Sequence, residues 1–129
     1  MKKDLTSLSI FEMQAGLRAA DFTCIELMES HLDRIEALEP RLHAFITLDG
    51  DRAKAEAKAA DQQIEKARKA GEIENLPPLL GIPIAVKDLI TIKDMRCSCG
   101  SNVLGDWIAP FTATAVGRLQ NAGAIVVGK

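Results

Sequence analysis

Residues 81–88 read GIPIAVKD, and the arrangement of the whole chain turns on them. Ile82 to Val86 is a compact apolar run, too short for a helix, and reads as a buried strand; Pro83 suits its first residues or an edge, where a missing N–H costs least. Lys87 and Asp88 end the run. A second apolar run, Ala124 to Val127, follows a helical stretch that Thr112 or Thr114 is placed to cap, with Val116 and Leu119 inward and Gly123 free to adopt a left-handed end. Strand, helix, strand makes a parallel crossover the default connection, so the two runs are expected side by side in one sheet. The fold class that follows is α/β.

Upstream the pattern is helical. Ser9 is placed to cap a helix to about Ala19, with Ile10, Met13 and Leu17 on one face. Thr23 and Glu26 have capping-box spacing, and Ile25, Met28, Leu32, Ile35 and Leu38 form a stripe that Pro40 is expected to end. His43 to Leu48, HAFITL, suits a short strand, with Asp49 and Gly50 as a turn. Asp51 to Ala70 is rich in helix formers with Ala53, Ala57, Ala60, Ile64 and Ala67 on one narrow face; Gly71 stops it, and Pro77 and Pro78 mark a loop. Leu89 to Gly105 shows no clear period and reads as a functional or packing loop. The result is a helical N-terminal apron followed by the first strands of a sheet.

The composition narrows the function classes. With 129 residues there is room for one modest core. Apolar residues at 47% and charged residues at 26% place the chain among globular proteins and outside intrinsic disorder. The 16 basic and 18 acidic residues are interspersed, so no basic stripe points to nucleic acid, and an aromatic share of 4% disfavours a base-stacking platform. No apolar stretch approaches the roughly 20 residues of a membrane span, and the opening MKKDLTSLSIFEMQAGLR lacks the apolar core of a signal peptide. Cys24, Cys97 and Cys99 are odd in number, and the last two are too close for an unstrained disulfide, so a reducing cytoplasm is expected. Gly123 and Gly128 do not make a phosphate-binding fingerprint.

Lys87 is the residue with chemistry to offer. At the end of a buried strand, desolvation disfavours an ammonium ion and a neutral amine can act as a base. The local sequence equally allows Lys87 to pair with Asp88 or to extend to the surface. Ser98 and Ser101 are possible hydroxyl nucleophiles. Cys97 and Cys99 read better as packed thiols than as metal ligands, because zinc needs about four ligands and His31 and His43 lie on distant elements.

Three strings in order and spacing, LPPLLGIPIAVKDLI, CSCGSNVL and TATAVGRLQNAGAIVVGK, resemble the amidase-signature family, strongly over residues 76–129. The helical N-terminal half is similar in kind. The resemblance implies the N-terminal portion of that family's α/β/α fold, with residues 1–129 forming part of a single domain around a mixed sheet and stopping before its catalytic serines. It gives Lys87 the role of base in a Ser–cis-Ser–Lys triad, by its place after Gly81, Ile82, Pro83, Ile84 and Val86. It makes the CSCGSNVL segment a support near the site, so neither Ser98 nor Ser101 is the nucleophile. Thr112 stands where the family often has aspartate; both residue types cap helices. The implied activity is hydrolysis of a carboxamide, inert in this portion alone. Within the family the resemblance leans to glutamine-hydrolysing amidotransferase subunits, implying partner subunits B and C, with ATP and Mg used by a partner and no cofactor here. A free-standing amidase acting on small or aryl amides, and a non-catalytic structural piece, are the other expectations.

Overall fold

The computed structural model describes residues 4–129; Lys2 and Lys3, which enter the signal-peptide reading, lie outside them. Among the described residues four α-helices, α1 (Ile10–Ala19), α2 (Cys24–Leu42), α3 (Gly50–Ala70) and α4 (Thr114–Asn121), accompany two strands, β1 (Pro83–Ala85) and β2 (Ile125–Gly128). The strands are parallel, pairing Pro83 with Ile125, Ile84 with Val126 and, after a register shift, Ala85 with Gly128. The α/β class and the parallel pairing are therefore as the sequence indicates.

The helical apron starts where local chemistry dictates. In α1 the Ser9 amide donates to Glu12 Oε2 at 2.8 Å while the Glu12 amide donates to Ser9 Oγ at 3.3 Å, a reciprocal capping box. Thr23 and Glu26 repeat it at α2. The α2 terminus has a further cap: Asp61, on α3, accepts from the Cys24 amide at 2.6 Å and the Ile25 amide at 3.1 Å. A carboxylate set against unpaired helix amides both satisfies them and opposes the macrodipole, so one side chain fixes the docking of α2 on α3. The interior face of α2 is led by Cys24, Leu27 and Met28, with Ile25, Leu32 and Ile35 only partly covered.

Several expectations need correction. Pro40 does not end α2, which continues to Leu42 and closes on a left-handed His43 whose amide reaches Glu39 O at 2.9 Å. Asp49 and Gly50 do not form a free turn: Asp49 caps α3 through the Arg52 amide, and Gly50 is its first residue. The Ala53, Ala57, Ala60 and Ile64 face is buried as expected, and Gly71 ends α3 at φ 71°. Residues 43–48 are not a regular strand. They make one antiparallel bridge, Leu48 to Gly128, with the Ile46 and Thr47 amides on Lys129 O and the Lys129 amide on Thr47 O at 2.8 Å. A Cβ on Gly128 would collide with Thr47 O, so this approach requires glycine. At α4 neither threonine caps: the N-cap is Ala113, Thr112 Oγ1 accepts from the Lys93 amide, and Leu119 faces solvent while Val116 is buried.

Strand alternation divides the interior. Ile82, Ile125 and Val127 join the helical core with Leu27, Met28 and Ala57, whereas Val86 and Val126 join Ile92, Met95 and Val116 in a second cluster. Lys87 and Lys129 thus follow the C-terminal ends of two adjacent parallel strands. Among the described residues no helix is long and apolar enough to cross a membrane.

Candidate active site

The C-terminal ends of parallel strands are where α/β sheets place their chemistry. A cleft of 450 Å³ opens there, lined among others by Phe45, Val86, Lys87, Asp88, Cys99, Gly100 and Lys129. A hollow of 510 Å³ between α2 and α3, lined among others by Leu32, Ile35, Leu48 and Lys54, includes neither Lys87 nor Lys129.

Lys87 lines the cleft two residues after β1, but it is exposed. The burial expected of it is not supplied by these residues, because β1 is three residues long and half-covered rather than enclosed. Asp88 is not its ion partner. The Asp88 side chain is buried, and its Oδ1 lies 3.5 Å from Nζ of Lys129, whose side chain is wholly out of solvent. Lys129 Nζ also donates to Arg96 O at 3.2 Å. Asp88 Oδ2 accepts from the Ser98 amide at 3.1 Å and from Ser98 Oγ.

Burial pushes the Asp88 carboxyl upward, but the Ser98 hydroxyl, the Ser98 amide and the Lys129 ammonium outweigh it and hold the group below the ordinary carboxylate value. The Asp88 main chain is tied as well: its carbonyl accepts from the Cys97 thiol and from the Cys99 amide, each at 3.1 Å.

Ser98 spends its hydroxyl on Asp88 and accepts from the Gly100 amide at 3.2 Å. Ser101 Oγ accepts from the Val103 amide, starting the 3-10 turn Asn102–Leu104. Among the described residues neither hydroxyl is hydrogen-bonded to a lysine amine. Cys97 is buried as a packed thiol, but Cys99 is exposed in the cleft, at a left-handed φ of 53° followed by Gly100 at 69°. Two such residues in succession turn the chain so that Cys99 faces out instead of packing beside Cys97. Partial desolvation, then Cys97 and Asp88, raise its thiol above the ordinary value. Among the described residues no three His, Cys, Asp or Glu side chains gather to hold a metal ion.

Lys129 is the participant that the sequence pattern alone does not single out. Its signal is a lysine following AIVVG on a fully buried strand, the same one that marks Lys87 after IPIAV.

The chain is similar to known proteins along nearly its whole length. It is 48% identical over 122 residues to the A subunit of the glutamyl-tRNA(Gln) amidotransferase of Desulfotalea psychrophila, covering 95% of this chain and 24% of that protein. To the same subunit of Natranaerobius thermophilus it is 43% identical, over 97% of this chain and 24% of the relative. It therefore spans about a quarter of these curated relatives' length. Among solved structures, the peptide amidase PAM in complex with chymostatin superposes with a TM-score of 0.81 at 37% identity, over 96% of this chain and 24% of that one. An amidase family protein from Bacillus anthracis superposes at 0.83 with 31% identity, over 99% and 25%. The family pattern described as Amidase matches residues 26–129, and with the strand-end lysine and α/β core already in place, the chain belongs to the amidase-signature family.

Proposed function

We propose that this chain supplies the lysine-bearing portion of a glutamine-hydrolysing amidase, the counterpart of the A subunit of glutamyl-tRNA(Gln) amidotransferase. The observation that carries the reading is similarity over 95% of the chain to proteins of that name. The position of Lys87 at the strand-end cleft is compatible with it.

In this reading Lys87, as the free amine, accepts a proton through a bridging serine. A second serine attacks the carboxamide carbon, backbone amides hold the resulting oxyanion, the proton returns through the bridging serine to the leaving nitrogen so that ammonia departs, and water then hydrolyses the acyl-serine to the carboxylic acid. The serines belong to the residues that follow this portion in the family, so the 129 residues alone are expected to be inert. Ammonia passes to partner subunits B and C, which carry the tRNA and the ATP- and Mg-dependent activation; the absence of a basic stripe in this sequence fits that division of labour. A free-standing amidase is the second reading, favoured by the 37% identity to a peptide amidase.

The test joins residues 1–129 to the remaining three quarters of the Desulfotalea psychrophila relative and measures ammonia release from glutamine with and without that organism's partner subunits. Partner-stimulated release that Lys87→Ala abolishes is the expected result. Hydrolysis of simple amides without partners favours the second reading, and hydrolysis surviving Lys87→Ala removes the lysine from the mechanism.

A further inference from the structure

The role given to Lys87 leaves two buried charges beside it without a purpose. Asp88 and Lys129 are withdrawn from water, with side chains 6% and 0% exposed. Burying an ion pair is costly, and apolar residues of like volume often stabilise a fold as well or better. Stability is a poor reason for the pair to be there.

The pair sits among contacts to the chain that carries Lys87. The Asp88 carboxylate is gripped on one oxygen by the Ser98 amide and hydroxyl and faces the Lys129 ammonium with the other. Oδ1 has no hydrogen bond of its own, so Lys129 is its compensation. The Asp88 carbonyl is held by the Cys97 thiol and the Cys99 amide, and the Lys87 carbonyl accepts from the Ile90 amide at 2.9 Å. On the other strand the Lys129 backbone is locked in both directions to Thr47. The exposed head of Lys87 therefore springs from a rigid stem.

We propose that Asp88 and Lys129, joined through Ser98, are positioning residues for Lys87: a buried ion pair bridging the ends of two parallel strands, fixing the backbone from which Lys87 enters the cleft and placing two fixed charges next to it. The inference rests on Lys87 being the base. Lys129 takes no part in proton transfer, since its ammonium is enclosed and engaged by Asp88 and Arg96 O. The ionisable groups around Lys87 in the cleft are Asp88, Cys99 and Lys129; Arg96 lies behind them with its guanidinium on the Gly105 carbonyl.

The chimaera of residues 1–129 with the Desulfotalea psychrophila relative provides the assay, using the double variant Asp88→Asn/Lys129→Met. Removing both charges together leaves no uncompensated ion, so the urea midpoint is expected to stay near the parent's. A positioning role requires kcat to fall by about tenfold or more, since a small misplacement of a reacting group is costly. KM is expected to stay within about twofold. A folded double variant with parental kcat overturns the proposal, as does one in which KM rises in place of a fall in kcat.

Should that variant not fold, Ser98→Ala decides, since it removes a single hydroxyl from the carboxylate. Reduced kcat at unchanged KM supports the proposal, and parental kcat refutes it. Failure of the base assignment looks different: there Lys87→Ala itself stays active.

Discussion

Replacing Gly81 with alanine tests whether the apron and the sheet are locked together at the point where the structure joins them. Gly81 sits at φ 81°, and a Cβ there would overlap the Sγ of Cys24 and lie 3.1 Å from its Cβ. Cys24 is fully buried in the first turn of α2 and cannot step aside. The left-handed conformation costs a non-glycine residue about 1–2 kcal/mol, and forcing a methyl group into a filled core costs about 1–3 kcal/mol more. The expected loss is about 2–5 kcal/mol, a large share of the roughly 5–15 kcal/mol that holds a typical domain together. Urea unfolding of the parent, Gly81→Ala, Cys24→Ala and the double variant separates the two contributions. Cys24→Ala makes room for the methyl group, so the double variant is expected to recover about 1–3 kcal/mol relative to additivity, while the backbone strain remains. Additivity within about 0.5 kcal/mol would refute the steric argument, and a Gly81→Ala loss below about 1 kcal/mol would refute both parts.

Asp61→Ala removes the carboxylate that caps α2 from α3 and is expected to cost about 1–3 kcal/mol, with faster hydrogen exchange at the Cys24 and Ile25 amides; unchanged exchange there would show that the cap is not needed. The same variant should let the Cys24 thiol ionise more readily when exposed by local opening, since burial first and Asp61 second push it up. The Asp88 carboxyl lies below its ordinary value in the folded chain. Its contribution is therefore fully present above the unfolded value of about 3.9 and is lost as pH falls through the folded one. A urea midpoint followed downward from about pH 5 should decline less steeply in Asp88→Asn than in the parent, and equal slopes would contradict this. With iodoacetamide, Cys99 should react first and increasingly with rising pH, whereas Cys24 and Cys97 should react only on unfolding; early labelling of Cys97 would overturn the assigned burial.

Features that depend on residues a few positions apart are legible in the chain before it folds. The Ser9 cap, the capping box of Thr23 and Glu26, the alanine face of α3, the left-handed ends at Gly71 and Gly123, and the two apolar runs that form β1 and β2 are of this kind. The parallel pairing is legible because a short helix between two short strands leaves little other choice. Lys87 is legible as a residue beside a strand end, but its exposure is not, since that depends on what covers β1. Packing alone establishes that Asp88 meets Lys129 instead of Lys87, that Asp61 caps a helix far upstream, that residues 45–49 dock on the free side of β2, and that Leu119 and Cys99 face outward. The physical reason is common to all of these. A helix cap or an amphipathic stripe is a short-range preference carried by the chain itself, whereas the partner of a buried charge and the exposure of a side chain follow from which distant segments the packed sheet and helices bring into contact.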